Sequence, residues 1–151
     1  MVEERLAELG LELPPAPAPV ASYIPVTVAG ELAFVAGQVP VQDGEVFLRG
    51  KLGADVGIEE AQRAARRCAL QALSALRDAL GTLDRVAGIA QMTVYVASAP
   101  GFIDQPKVAN GASDVLVEVF GEPGKHARAA VGVAELPLGA AVEVAVIARL
   151  A

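Results

Sequence analysis

The sequence predicts a two-layer α+β domain in which a mixed sheet carries two helices on one of its faces. Three observations lead there. Between Ile24 and Leu48 the chain reads as short strand runs broken by hairpin turns. Helical periodicity runs through Ile58–Leu80 and again through about Val108–Phe120. Strand-like runs return within Val86–Ala97, at Ala129–Val133 and at Val142–Ala148, giving the order ββ(β)αβαββ. Two helices cannot cover both faces of a sheet of five or six strands, so they belong on one face. The opposite apolar face then needs a partner, and the alternating valines of the last strand make self-association the expected solution.

Taken in order, Val2–Leu9 sets Leu6 and Leu9 on one side and stops at Gly10, which predicts a short N-terminal helix. Pro14-Pro15-Ala16-Pro17-Ala18-Pro19 reads as an extended polyproline-type connector. Strands are expected at Ile24–Val28 and Leu32–Ala36, joined at Gly30-Glu31, where Gly suits the first central position of a type II′ turn. Asp43-Gly44 marks a second hairpin between Val39–Val41 and Glu45–Leu48. In the long helix, positions 61, 65, 68, 72, 76 and 79 form the apolar face, and Gly81 ends it. Gly121 stops the second helix. The last two strands flank a Leu136-Pro137 turn, with Arg128 just ahead of the first. Alternation in the second puts Val142, Val144, Val146 and Ala148 on one face and Glu143, Ala145, Ile147 and Arg149 on the other. An ionised Glu143 is poorly suited to a face buried without a partner, so that face meets water or lines a polar cleft.

The 151 residues are expected to form a single domain, with residues 1–19 as its N-terminal helix and connector. Hydrophobic residues make up 54% of the chain but aromatics only 4%, so the core must be built from Ala, Val and Leu. A net charge of −6 argues against nucleic acid as a partner, since phosphate binding needs clustered Lys and Arg. Arg63, Arg66 and Arg67 do cluster, yet with Glu59 and Glu60 beside them they read as a solvated helix face. No run is long and apolar enough to span a membrane, and the N-terminus lacks the apolar core of a signal peptide, so a cytoplasmic protein is expected. Cys68 is the only cysteine, which leaves no disulfide and no Cys/His metal site, and its helical spacing reads as a buried small hydrophobe. His126, the only histidine, reads first as structural or solvated and second as a participant in a site.

The C-terminal residues Ala127-Arg128, Val131, Val133, Leu136-Pro137 and Val142-Glu143-Val144 resemble the signature A-R-x-x-V-x-V-x-x-L-P-x-x-x-x-V-E-V/I of the Rid/YjgF family, the reactive-intermediate deaminases. Tyr23 in A-S-Y-I-P, Phe34–Pro40, Leu80–Val86 and Thr93–Val96 fit further family motifs in the right order, covering roughly residues 20–151. The resemblance implies a chorismate-mutase-like subunit assembled as a homotrimer, with three clefts between subunits. It also implies hydrolysis of reactive enamine or imine acids, such as 2-iminobutanoate or 2-iminopropanoate, to 2-oxo acids and ammonia, with no metal or organic cofactor.

Arg128 is the first candidate, because a guanidinium fork matches a carboxylate and stays charged; the resemblance gives it the carboxylate of a small 2-imino or 2-oxo acid. An ordinary surface ion pair is the plainer alternative. Glu143 matches the family carboxylate that positions or polarises the attacking water, against a structural ion pair. Tyr23 offers a ring to close the cleft and a phenol to hydrogen-bond, against simple packing. Gly37 lets the backbone approach a ligand, and the peptide groups of Ala129 and Ala130 supply further hydrogen bonds. A substrate-holding Asn of the family maps onto the second helix, where Asn110 and Ser113 both compete and counting back from Phe120 favours Ser113. Ala145 stands where many deaminases carry a second acidic residue, and Ala130 where some relatives carry a cysteine, so the chain marks a divergent subgroup. Two alternatives differ in class: a non-catalytic trimer that binds small carboxylates, for which Arg128 suffices, and an endoribonuclease, against which the acidic charge argues.

Overall fold

A computed structural model describes residues 1–16, 18 and 22–151. Pro17 and Pro19 of the expected connector lie outside the described residues. The elements are α1 (Val2–Glu8), β1 (Val26–Ala29), β2 (Leu32–Gln38), β3 (Val41–Gln42), β4 (Glu45–Val46), α2 (Ile58–Leu80), β5 (Val86–Ala97), α3 (Gln105–Phe120), β6 (Ala127–Val133) and β7 (Val142–Leu150). Five strands form one mixed sheet in the order β1-β2-β7-β5-β6, antiparallel except for β5 and β6, while β3 and β4 pair as a separate hairpin.

The sheet's two faces separate as the alternation requires. Ala33 and Val35, Val142, Val144, Val146 and Ala148, and Met92, Val94 and Val96 are buried beneath α2 and α3. The other face carries Leu32 and Phe34, which stay 37% and 39% exposed, together with half-buried Ile147 and Tyr95, so an apolar surface is left open in the single chain.

Helix α2 starts where the backbone N–H of Gly57 donates to Glu60 Oε1 (2.8 Å) and ends at Gly81, whose φ of 86° needs glycine. Its buried face is wider than the spacing predicts, adding Ala64, Ala69, Leu73, Ala75 and Leu80, while position 79 is exposed. Small residues let α3 come close: a Cβ on Gly111 would overlap the Gln62 carbonyl. Cys68 is fully buried there, and burial, with a smaller push from the Glu143 charge, drives its thiol well above the ordinary range. Of the arginine cluster, Arg63 is exposed, Arg66 pairs with Glu118 (3.5 Å) and Arg67 Nε donates to the Val41 carbonyl (2.9 Å), so Arg67 ties α2 to the hairpin instead of facing solvent.

Several boundaries differ from the sequence reading. β1 begins at Val26, leaving Ile24 58% exposed. β3 and β4 shrink to two residues each. α3 begins at Gln105, three residues early, because Pro106 is well tolerated in a first helical turn although it carries no apolar periodicity. β6 begins at Ala127, so Arg128 lies inside the strand and not ahead of it. The Gly30-Glu31 turn is as expected, with Gly30 at φ 60° between the paired Ala29 and Leu32. α1 folds back onto the helical layer: Leu6 is 4% exposed, Arg5 Nε donates to the Glu118 carbonyl (3.0 Å) and Arg77 pairs with Glu3 (3.3 Å). Ser74 Oγ donates to the Pro14 carbonyl (2.6 Å), fastening the start of the connector to α2.

Candidate active site

Arg128 sits on the edge strand β6 and turns toward α3. Its Nη1 donates to Asn110 Oδ1 (2.8 Å) and to Ser113 Oγ (3.1 Å). Asn110 and Ser113, of which the sequence favoured Ser113, therefore both hold the same nitrogen; they are three apart, about one helical turn, and face the strand together. Among the described residues Nη2 and Nε make no hydrogen bond, which leaves the rest of the fork free for a carboxylate. Ser113 also meets His126 Nε2 (2.9 Å), whose Nδ1 lies 2.7 Å from the Gly124 carbonyl. His126 is thus built into the arginine's support.

Glu143 lies at the start of β7, opposite Tyr95 of β5 in the ladder. Among the described residues its carboxylate has no ion-pair or hydrogen-bond partner, and partial burial raises its pKa above the usual carboxylate value. Gly37 lies against it. Two residues of β2, Ala36 and Gly37, lie between Val35 and Gln38 where β7 has only Ala145 between Val146 and Val144, and this bulge brings the Gly37 backbone over the carboxylate. A Cβ at Gly37 would stand 3.0 Å from Glu143 Cδ and 3.1 Å from Oε2. The strand's exit from the bulge is pinned by buried Gln71, which donates from Nε2 to the Val39 carbonyl (2.8 Å) and accepts at Oε1 from the Val41 N–H (2.8 Å).

Tyr23 precedes β1 and is 55% exposed, with no side-chain hydrogen bond among the described residues. Ala129 and Ala130 lie on β6, whose outer edge pairs with no other strand among the described residues, so peptide groups there are open to a ligand. Clefts of about 450 and 440 Å³ lie between α1 and the end of α3 and beside Arg49–Asp55; neither is lined by Arg128 or Glu143. Among the described residues no three His, Cys, Asp or Glu side chains gather in a metal-holding group.

Sequence reasoning did not single out Tyr95 or Gln71. Tyr95 sits in a recognisable strand, but its register opposite Glu143 depends on irregularities between Val86/Gly88 and Ile89/Gln91 that no local pattern announces. Gln71 breaks the apolar face of α2, and a polar residue on a buried helix face is the signal that marks it.

A mixed five-stranded sheet with its helices on one face is a YjgF-type α+β fold. The chain belongs to that family: the family described as "YjgF/chorismate mutase-like, putative endoribonuclease" matches residues 3–150. It is 48% identical over 150 residues to Protein TCP17 of Trypanosoma cruzi, covering 99% of this chain and 94% of that one. The crystal structure of Atu1372 from Agrobacterium tumefaciens, a protein of unknown function, is similar at 43% identity and a TM-score of 0.90, covering 99% of this chain and 93% of the other. E. coli TdcF with bound serine is similar at 26% identity and a TM-score of 0.61, covering 90% and 94%. No helix among the described residues is long and apolar enough to cross a membrane.

Proposed function

We propose that this protein hydrolyses small reactive 2-imino acids and their enamine tautomers to 2-oxo acids and ammonia, in clefts shared between neighbouring subunits of a homotrimer. The observation that carries the shared cleft is the separation of its two main groups. Arg128 lies in register with Met92, and Met92 with Val146, on the helix-covered face; Glu143 lies in register with Tyr95 on the open face. Two strand spacings and three residues put their Cα atoms about 14 Å apart, on opposite sides of a sheet. A three- or four-carbon acid cannot bridge that within one chain. The open apolar face and the free edge of β6 are surfaces through which a second copy brings its own Glu143 to this Arg128.

In such a cleft Arg128 grips the carboxylate with the side of its fork that Asn110 and Ser113 leave free. Glu143 takes a proton from water as the oxygen attacks the C=N carbon and passes it to the nitrogen; the new hydroxyl's proton then follows by the same carboxylate as the C–N bond breaks, leaving the 2-oxo acid and ammonia. A carboxylate whose pKa is raised by burial is a better base for this than an ordinary one. Gly37 leaves room beside it, Tyr23 covers the ligand, and the Ala129 and Ala130 peptides complete the polar lining. Serine in TdcF is a small acid with a free carboxylate, which supports the ligand class. The net charge of −6 weighs against an RNA substrate.

A second reading, a carboxylate-binding trimer without catalysis, is favoured by the Arg128 cluster alone, since binding needs no base. The deciding experiment generates short-chain 2-imino acids with a coupled enzyme and follows their disappearance with wild-type protein and Glu143→Gln. Hydrolysis predicts turnover at least about 10²-fold lower in the variant with 2-oxo acid binding retained. Binding without turnover in the wild type selects the second reading.

A further inference from the structure

We propose that His126 is a positioning residue for the Arg128 guanidinium, acting through Ser113, and that its neutral, Nδ1-protonated form does this. The inference rests on the reading of Arg128 as the carboxylate grip and adds what holds that grip in place.

Arg128 is exposed on an edge strand, where a long side chain samples many rotamers unless it is held. Its Nη1 is held by an amide oxygen that can only accept, on Asn110, and by a hydroxyl that can do either, on Ser113. The hydroxyl supports Arg128 best when its single proton points elsewhere. The structure supplies that direction. The Gly124 carbonyl, buried and only able to accept, lies 2.7 Å from His126 Nδ1, so Nδ1 carries the ring proton. Nε2 of the neutral ring is then a bare acceptor 2.9 Å from Ser113 Oγ, and the Ser113 proton goes to it. The chain of donors runs one way: Arg128 to Ser113, Ser113 to His126, His126 to Gly124.

Protonation of the ring reverses one link. Nε2 becomes a donor, so the Ser113 oxygen must accept from imidazolium and guanidinium together, and two cations converge on one atom. Among the described residues, charges near the ring are Asp114, exposed beside Ser113 on α3, the Glu122–Lys125 pair (2.9 Å) in the turn before β6, and Arg149, whose guanidinium meets Pro123 of that turn around Gly88. From β5, Gln91 and Met92 lie beside Ala127 and Arg128 and carry no charge.

The test uses nitrogen NMR and calorimetry on the intact protein, with 2-oxobutanoate as the probe. His126 is the only histidine, so one imidazole gives the whole signal. In the neutral ring the proton is expected on Nδ1 and not on Nε2. His126→Phe, which keeps the ring's bulk, should weaken 2-oxobutanoate binding about fivefold, the scale of one lost hydrogen bond. His126→Gln, which puts an acceptor oxygen near the Nε2 position, should recover wild-type affinity to within about twofold. An Nε2-protonated ring, or His126→Phe binding like wild type while Arg128→Ala has lost binding, overturns this inference alone. Arg128→Ala binding like wild type overturns the reading of the site, and this inference with it.

Discussion

Arg128 and Glu143 project from opposite faces of the same five-stranded sheet, the arginine in the row of Met92 and Val146 and the glutamate in the row of Tyr95 and Val131. Groups of complementary charge placed this way do not neutralise one another within the chain, and each keeps bonding capacity for something outside it. The predictions below follow from that arrangement.

The protein should sediment as a trimer. Leu32, Phe34 and Val131 remain 37–42% exposed on the open face and its edge, a surface that solvent does not favour and a second copy can cover. Sedimentation equilibrium at micromolar concentration measures this directly; a stable monomer would remove the shared cleft.

Arg128→Ala should lose roughly 2–3 kcal/mol of 2-oxo acid binding, the range for charge-assisted hydrogen bonds in a sheltered site. The fold should tolerate the change, because Arg128 is exposed and supports no core contact. Calorimetric titration with pyruvate or 2-oxobutanoate reads the first part, and urea unfolding the second.

Gly37→Ala should damage the site more than the fold. The new methyl meets the Glu143 carboxyl at 3.0–3.1 Å, so the side chain has to swing aside by a few tenths of an ångström. The stability cost should stay within about 1 kcal/mol, while turnover drops about tenfold or more through misplacement of the base. Equal losses in both would assign the glycine to packing.

Stability should carry a pH signature of Glu143. Burial raises its folded-state pKa, so the folded protein holds this proton more firmly than the unfolded chain does. Between the unfolded value near 4.3 and the raised folded one, stability therefore falls as pH rises, and above that window the charged group remains a burden. Glu143→Gln should flatten this slope and unfold no more easily than wild type at pH 7. Chemical denaturation of both proteins from about pH 4 to pH 8 measures it; a variant clearly less stable at neutral pH would assign Glu143 to a structural ion pair.

Much of this could be read from the chain. The alternation in Val142–Arg149 showed the face of each of those β7 residues, Glu143 included, because a period of two survives any tertiary context that buries one side. Gly81, Gly30 and Asp43-Gly44 marked their turns through backbone freedom that few other residues offer. What stayed hidden was long-range. The contact of Asn110 and Ser113 with Arg128, with His126 behind Ser113, joins a helix to a strand across a crossover, and no local pattern encodes that distance. The β2 bulge at Gly37 left its sequence looking like an uninterrupted strand end. Arg128 entered β6 itself because edge pairing with β5 extends two residues further than the apolar run.

The central claim is that one chain's Arg128 works with a neighbour's Glu143. The most direct measurement mixes Arg128→Ala and Glu143→Gln subunits, unfolds and refolds them together, and assays 2-imino acid hydrolysis. Each variant alone should be nearly inactive. In a one-to-one mixture, about a quarter of the clefts in randomly assembled trimers unite an intact arginine with an intact glutamate, and activity should return to about that fraction of wild type. No recovery in trimers shown to contain both chains would contradict the account, because it would place both groups' work within a single subunit.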